Sequence, residues 1–367
     1  MTQQNPFSVA SKSTAAWRVS PNGPADVADM QAICEVAKST RRTTYQVAGQ
    51  SIVVETQDTW AAKVIEELFA GWYLTPAGVA KADSSPAIVI RSSVSPPRVP
   101  GNWPQFEIAG GGTCFTDGKS SHIDIEGSIV AIGKPGHAAV EVWTTGKLEI
   151  ESPALTRVVT YALAAALRRC RLFELHSGAV IDPESGRGVL IIGPSGSGKS
   201  TLTVQLAAAG WPFLTDDVLL LSAAGAQIQA WPLRRCFAIT SDTFAASNFL
   251  QGRTSLDYTQ ARADKKRFFP QRVFDSEFRE QCLPQTLFFS ELSGGERSQV
   301  LRLSPADTMA RLIRMNPWSC YDQITAADHL AVLSTLARQA TGYSLLAGKD
   351  LLDVETSANL IAGYTRN

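Results

Sequence analysis

Gly193-Pro194-Ser195-Gly196-Ser197-Gly198-Lys199-Ser200 sits between the apolar run Val189-Leu190-Ile191-Ile192 and the stretch Thr201-Leu202-Thr203-Val204-Gln205-Leu206-Ala207-Ala208-Ala209-Gly210. Read outward, this is a strand, a glycine-rich loop and a helix, and the pattern G-x-x-x-x-G-K-[ST] is matched in full. Each residue type has a physical reason to be there. Backbone N–H groups converge on phosphate oxygens only where the chain turns tightly, which glycine permits. The first turn of the helix adds unpaired donors and partial positive charge. A lysine at 199 can reach the β- and γ-phosphates, and a hydroxyl at 200 suits Mg2+. Gly193, Pro194, Ser195, Gly196, Ser197, Gly198, Lys199, Ser200 and Thr201 are therefore the expected nucleotide-binding residues, with ATP and Mg2+ as the expected cofactors. The alternative is a plain glycine-rich turn from strand to helix.

Downstream, Gly210 has the character of a helix C-cap, and Trp211-Pro212-Phe213-Leu214-Thr215 leads into Asp216-Asp217 and the apolar Val218-Leu219-Leu220-Leu221. The acidic pair thus follows the loop by one short helix and a turn. A Mg2+ ligand and a base are wanted at that place, although a bare Asp-Asp also serves as a turn or cap. Successive strand residues face opposite ways, so the two carboxylates are expected to have different roles. Upstream, Leu172–Val180 reads as a strand carrying His176, either part of the site or a packed core histidine, with a turn at Asp182-Pro183-Glu184-Ser185-Gly186.

The 367 residues are 44% hydrophobic and 19% charged, with Lys+Arg and Asp+Glu balanced at 34 each. That composition belongs to an ordinary globular protein, and the length suggests two domains, or one large domain with an appendage. It offers no global basic field for nucleic acid. The cysteines are scattered singly, with no C-x-x-C, so reduced thiols are expected. No uncharged apolar run approaches the roughly 20 residues of a membrane helix, and the polar N-terminus lacks a signal pattern. A cytoplasmic protein without a membrane span is expected.

Residues 1–25 are rich in Ser, Gln, Asn and Pro, and are expected to form a poorly ordered tail. Residues 26–150 read as an α+β domain with antiparallel strands. Thr44–Val47 and Ser51–Thr56 flank Ala48-Gly49-Gln50 as a hairpin. Trp60, Val64, Leu68 and Trp72 make one helical stripe, and short apolar runs from Phe106 to Ile150 alternate with glycine-containing turns. Ser152-Pro153 opens a helix whose terminal Arg168-Arg169 suit the helix dipole and solvent. Residues 151–367 are the α/β P-loop domain. Within it, Lys265-Lys266-Arg267 either reaches a transferring phosphate or an acidic substrate, or is a solvated loop. Thr286–Phe289 and Gln299–Leu303 read as paired strands, and Asp307–Met315 and Ala326–Gln339 as helices.

Leu175-His176-Ser177-Gly178-Ala179-Val180, the loop from Gly188 to Ser200, Gly210 and Asp216-Asp217 together resemble the catalytic core of the HPr kinase/phosphorylase family. The match is clear over residues 172–221 and absent from the N-terminal half. The resemblance implies ATP-dependent phosphorylation of a hydroxyl on a peptide, protein or small molecule. Carried over, Asp217 is the proton acceptor, Asp216 assists through the metal with Ser200, His176 orients or balances charge, and Lys199 handles phosphate. The N-terminal region would select or present the acceptor. A homo-oligomer is also implied, since relatives often form rings. Two positions depart from the family. Thr201 stands where the family has glutamate, and Pro232-Leu233-Arg234-Arg235-Cys236 lies where its Glu-containing signature belongs. A phosphocarrier substrate and phosphorolysis are therefore not expected. A nucleotide-binding switch or scaffold is the competing reading. Leu292-Ser293-Gly294-Gly295-Glu296 spells the signature of ABC-type ATPases, but the strand and Asp-Glu pair that should follow are missing. A hairpin turn is the expectation there.

Overall fold

The computed structural model describes residues 40–366 apart from 58, 80, 82–86, 93–95, 109–110, 134–138, 145–152, 253–258 and 263–264. The expected tail at 1–25 and the expected domain boundary near 150 lie outside the described residues. The first half of the chain builds one sheet. Its strands are β1 (Arg41–Val47), β2 (Gln50–Thr56), β3 (Thr75–Val79), β4 (Ile88–Ser92), β5 (Gln105–Glu107), β6 (Thr113–Thr116), β7 (Ser121–Ile125), β8 (Ser128–Ile132) and β9 (Val140–Thr144), in the order β3-β1-β2-β4-β9-β8-β7-β6-β5. β2, β4 and β9 run parallel, and the remaining pairs are antiparallel. The β1–β2 hairpin turns through Ala48 and Gly49, both left-handed at φ 47° and 74°, the backbone that matches strand twist in a two-residue turn. Helix α1 (Thr59–Ala70) buries Val64, Ile65 and Phe69 in the same core as Ile123, Val130 and Val142. Helix α2 (Pro153–Arg169) adds Val158, Ala162, Leu163 and Leu167 to that core.

The second sheet contains β10 (Phe173–Ile181), β11 (Gly188–Ile192), β12 (Phe213–Thr215), β13 (Val218–Ala224) and β14 (Gln227–Pro232). A smaller antiparallel sheet follows, made of β15 (Phe237–Thr240), β16 (Thr259–Arg262) and β17 (Lys265–Phe268) in the order β15-β17-β16. The chain then returns to the second sheet with β18 (Pro284–Leu292), β19 (Gln299–Arg302) and β20 (Thr341–Ala347), giving β14-β13-β10-β11-β18-β20-β19 with β12 beside β10. β11, β18 and β20 are parallel neighbours. β11 is buried at every position, as expected for a strand covered on both faces. The helices of this half are α3 (Lys199–Ala208), α4 (Ser241–Ala246), α5 (Asn248–Gln251), α6 (Pro305–Met315), α7 (Trp318–Tyr321), α8 (Ala326–Gln339) and α9 (Val354–Thr365). Leu202, Val204 and Leu206 of α3 share one core with Ile361 of α9, while Leu312 of α6 and Leu333 and Leu336 of α8 share another with the opposite sheet face. The chain is thus a mixed α/β protein with parallel and antiparallel strands. Among the described residues no helix is long and apolar enough to cross a membrane.

Two expectations are corrected here. β18 and β19 do not form a hairpin, because β20 lies between them and pairs with both. Leu292–Glu296 is a connection over the strand ends, not a tight turn. Arg168 is also not solvated. Its side chain is 3% exposed, Nε lies 3.2 Å from Asp322 Oδ2, and the ring of Trp318 stands 4.9 Å from the guanidinium. Arg169 approaches the same carboxylate at 3.6 Å. Helix α7 and the residue after it close over the end of α2, so the dipole is met by buried pairing as well as by charge.

Candidate active site

The glycine-rich loop leaves β11 at Gly193, where there is no room for a side chain. A Cβ there would lie 2.5 Å from both Ser290 O and Ser197 Oγ. Gly196 and Gly198 have φ 82° and 88°, a backbone that other residues rarely adopt. Ser290 Oγ on β18 donates to Ser197 O at 2.7 Å and ties the loop to the neighbouring strand. Lys199 opens α3. It is 5% exposed, and its Nζ donates to Pro194 O at 2.8 Å. Burial pushes its ammonium pKa down to about 8. The buried Ser197 Oγ has no partner. Ser200 Oγ donates to the Asp216 carbonyl at 3.4 Å, and Thr201 Oγ1 lies 3.0 Å from Thr243 Oγ1.

Asp216 and Asp217 occupy a two-residue break between β12 and β13 rather than a strand. Their environments differ because the chain bends there. Ser177 N donates to the Asp217 carbonyl at 2.9 Å and anchors the bend to β10. Asp217 Oδ1 lies 3.0 Å from His176 Nδ1, and Oδ2 lies 3.2 Å from Arg234 Nη1. Burial opposes ionisation of Asp217. The His176 hydrogen bond and the Arg234 charge outweigh it and hold the carboxyl well below the usual range. Asp216 is fully buried, and its Oδ2 accepts from Ala238 N at 3.0 Å while Oδ1 has no partner. Burial, then the Asp217 charge, push its carboxyl up to about 7.

A cavity of 480 Å³ joins these elements. Ser195, Gly196, Gly198, Lys199, Ser200 and Thr201 line it from the loop and α3, and His176 and Asp217 line it from the sheet. Gly193, Pro194, Ser197 and Asp216 do not line it. Asp242, Thr240 and Lys265 also face the cavity. Of the Lys265–Arg267 stretch, Lys265 alone is on the wall. The Lys266 ammonium instead lies 4.1 Å from the Phe244 ring.

Arg234 has no signal in the sequence as a partner of Asp217, because contacts from the first half of the chain set its position. Trp72 and Arg234 form an antiparallel bridge, Tyr73 N donates to Leu233 O at 2.8 Å, and Arg235 N donates to Gly71 O at 3.0 Å. The Trp72 ring stands 5.7 Å from the Arg234 guanidinium. Two aromatics after α1 thus meet two arginines after β14, a pairing that only the fold creates.

No family model and no curated protein matches the chain. Among solved structures it is similar to the HPr(Ser) kinase/phosphatase from Coxiella burnetii, at 18% identity and a TM-score of 0.21. The similarity covers 32% of this chain and 58% of that one. At that extent it carries nothing about activity.

Proposed function

We propose that the chain is a P-loop kinase that transfers the γ-phosphoryl group of ATP to a hydroxyl of a peptide, protein or small molecule. One observation carries this reading: Lys199 and Ser200 of the glycine-rich loop open onto the same cavity as His176 and Asp217. The loop N–H groups and Lys199 cradle the phosphates, and Lys265 adds positive charge from another wall. Phosphoryl transfer has a loose transition state with charge spread over the equatorial oxygens, so positioning and charge neutralisation supply most of the rate. The acceptor O–H donates to Asp217. As the acceptor oxygen bonds to phosphorus and the bond to the ADP oxygen breaks, Asp217 takes the proton. His176 and Arg234 keep that carboxylate ionised and aimed.

The unpartnered, buried Asp216 Oδ1, on the residue whose carbonyl accepts from the Ser200 hydroxyl, fits a hard cation. Ser200 and Asp216 would hold Mg2+, which when bound neutralises phosphate charge. Among the described residues no group of three or more His, Cys, Asp or Glu could hold a metal ion. Phosphate oxygens and water would therefore complete the coordination, as is usual for Mg2+. A cytoplasmic setting belongs to the same reading.

A nucleotide-binding switch is the second reading, favoured by Thr201 in place of an acidic residue after Ser200. The experiment that separates the two is incubation of the full chain with Mg2+, labelled ATP and a panel of peptide, protein and sugar hydroxyls, followed by mass spectrometry. One added phosphoryl group on an acceptor supports the kinase. ATP binding without transfer to any acceptor supports the switch.

A further inference from the structure

We propose that the cavity wall formed by Leu292, Leu351 and Leu352 is the nucleobase subsite. This rests on the reading that the glycine-rich loop holds a triphosphate. Ligands of parallel sheets bind in the crevice beyond the carboxyl ends of the strands. Here three parallel neighbours end at one cavity. β11 runs into the loop, β18 ends at Leu292, and β20 ends at Ala347, directly before Gly348 and a single helical turn, Lys349–Leu352. Leu292 and Ala347 are paired in register, so the apolar wall continues the line of strand ends that begins with the loop.

Leu292 is 64% exposed and Leu352 is 39% exposed, large apolar side chains left in water at the cavity. Leu292 stands beside the loop, since a Cβ on Gly198 would lie 3.2 Å from its Cδ2. The wall is held in place before any ligand arrives. Leu352 O accepts from Gln205 Nε2 of α3 at 2.6 Å, Lys349 N donates to Gly295 O at 3.0 Å, and Ser298 Oγ donates to Asp350 Oδ1 at 2.6 Å. The other wall carries His176, Asp217, Asp242 and Lys265. A base there would strip water from charges, whereas an acceptor hydroxyl needs them. A triphosphate with its γ end toward Asp217 therefore runs its nucleoside toward the leucines.

The test is calorimetric titration of the full chain with ATP and, separately, with inorganic tripolyphosphate, both with Mg2+. Leu292→Ser and Leu352→Ser are made singly and together; both positions are exposed enough to keep the fold. The double variant is expected to lose about tenfold in ATP affinity, the effect of uncovering roughly one apolar side chain, and to bind tripolyphosphate as wild type does. Unchanged ATP affinity in the double variant overturns the subsite, as does an equal loss for both ligands. Wild-type protein that binds neither ligand overturns the triphosphate reading and the subsite with it.

Discussion

Asp216 and Asp217 are neighbours in the chain with opposite electrostatics. One is fully buried with an unpartnered oxygen, and the other is clamped between His176 and Arg234. A titratable group outside this pair allows a test by pH. His329 is 2% exposed, stacks on Phe173 with ring centroids 4.5 Å apart, and has no partner for either ring nitrogen. Burial, then the Arg168 charge, lower its pKa from 6.5 to about 4. The unfolded chain therefore binds the proton more readily than the folded one. The stability from keeping this ring neutral is complete above pH 6.5 and is lost as pH falls toward 4. His329→Leu is expected to remove a pH-dependent loss on the order of 2–3 kcal/mol over that window. Urea denaturation of both proteins near neutral pH and near the lower limit checks it. An identical acid loss in the variant would count against the assignment.

At the scale of elements, the packing of α3 on β10 sets where Lys199 stands. Gly178 makes this contact possible. A Cβ there would lie 2.1 Å from Thr203 Oγ1, whose hydroxyl donates to Lys199 O at 2.9 Å. Gly178→Ala is expected to cost about 1–3 kcal/mol by overpacking, and adding Thr203→Ala should recover part of it, as read from denaturation midpoints. Elements were legible in the sequence where their signal is contiguous. The loop between an apolar strand and a helix, and the hairpin around Ala48-Gly49, needed only local chemistry. His176 and Asp217, which flank the loop within a short stretch, line the same cavity, whereas Asp216 does not. Arg234 could not be placed from the sequence, because a bridge to Trp72 positions it. A β18–β19 hairpin does not form because strand pairing depends on β20, which comes later in the chain. Leu292, at the end of β18, joins the cavity for the same reason.

At the scale of the whole molecule, the core of the first sheet includes Leu220 and Leu233 from around the site as well as α1 and α2. Arg168, at the end of α2, meets Asp322 from the second half of the chain with both side chains almost fully buried. Asp322→Ala leaves that cation unpaired in a dry place and is expected to cost about 3–5 kcal/mol. Replacing Arg168 and Asp322 together with apolar residues of similar size should restore part of the loss in the same denaturation assay, the remainder being the partner that Arg169 also loses. The first half of the chain also braces Arg234, and through it the carboxylate that faces the cavity. On the proposed function, this carboxylate serves phosphoryl transfer from a nucleotide held by the Gly193–Ser200 loop. The most direct measurement is transfer from γ-labelled ATP to a hydroxyl acceptor by wild type and Asp217→Asn side by side, with ATP affinity measured for both. The account predicts that the variant binds MgATP within about threefold of wild type, because Asp217 contacts the acceptor rather than the loop, and transfers about 100-fold more slowly or worse. Transfer by Asp217→Asn at the wild-type rate would contradict it.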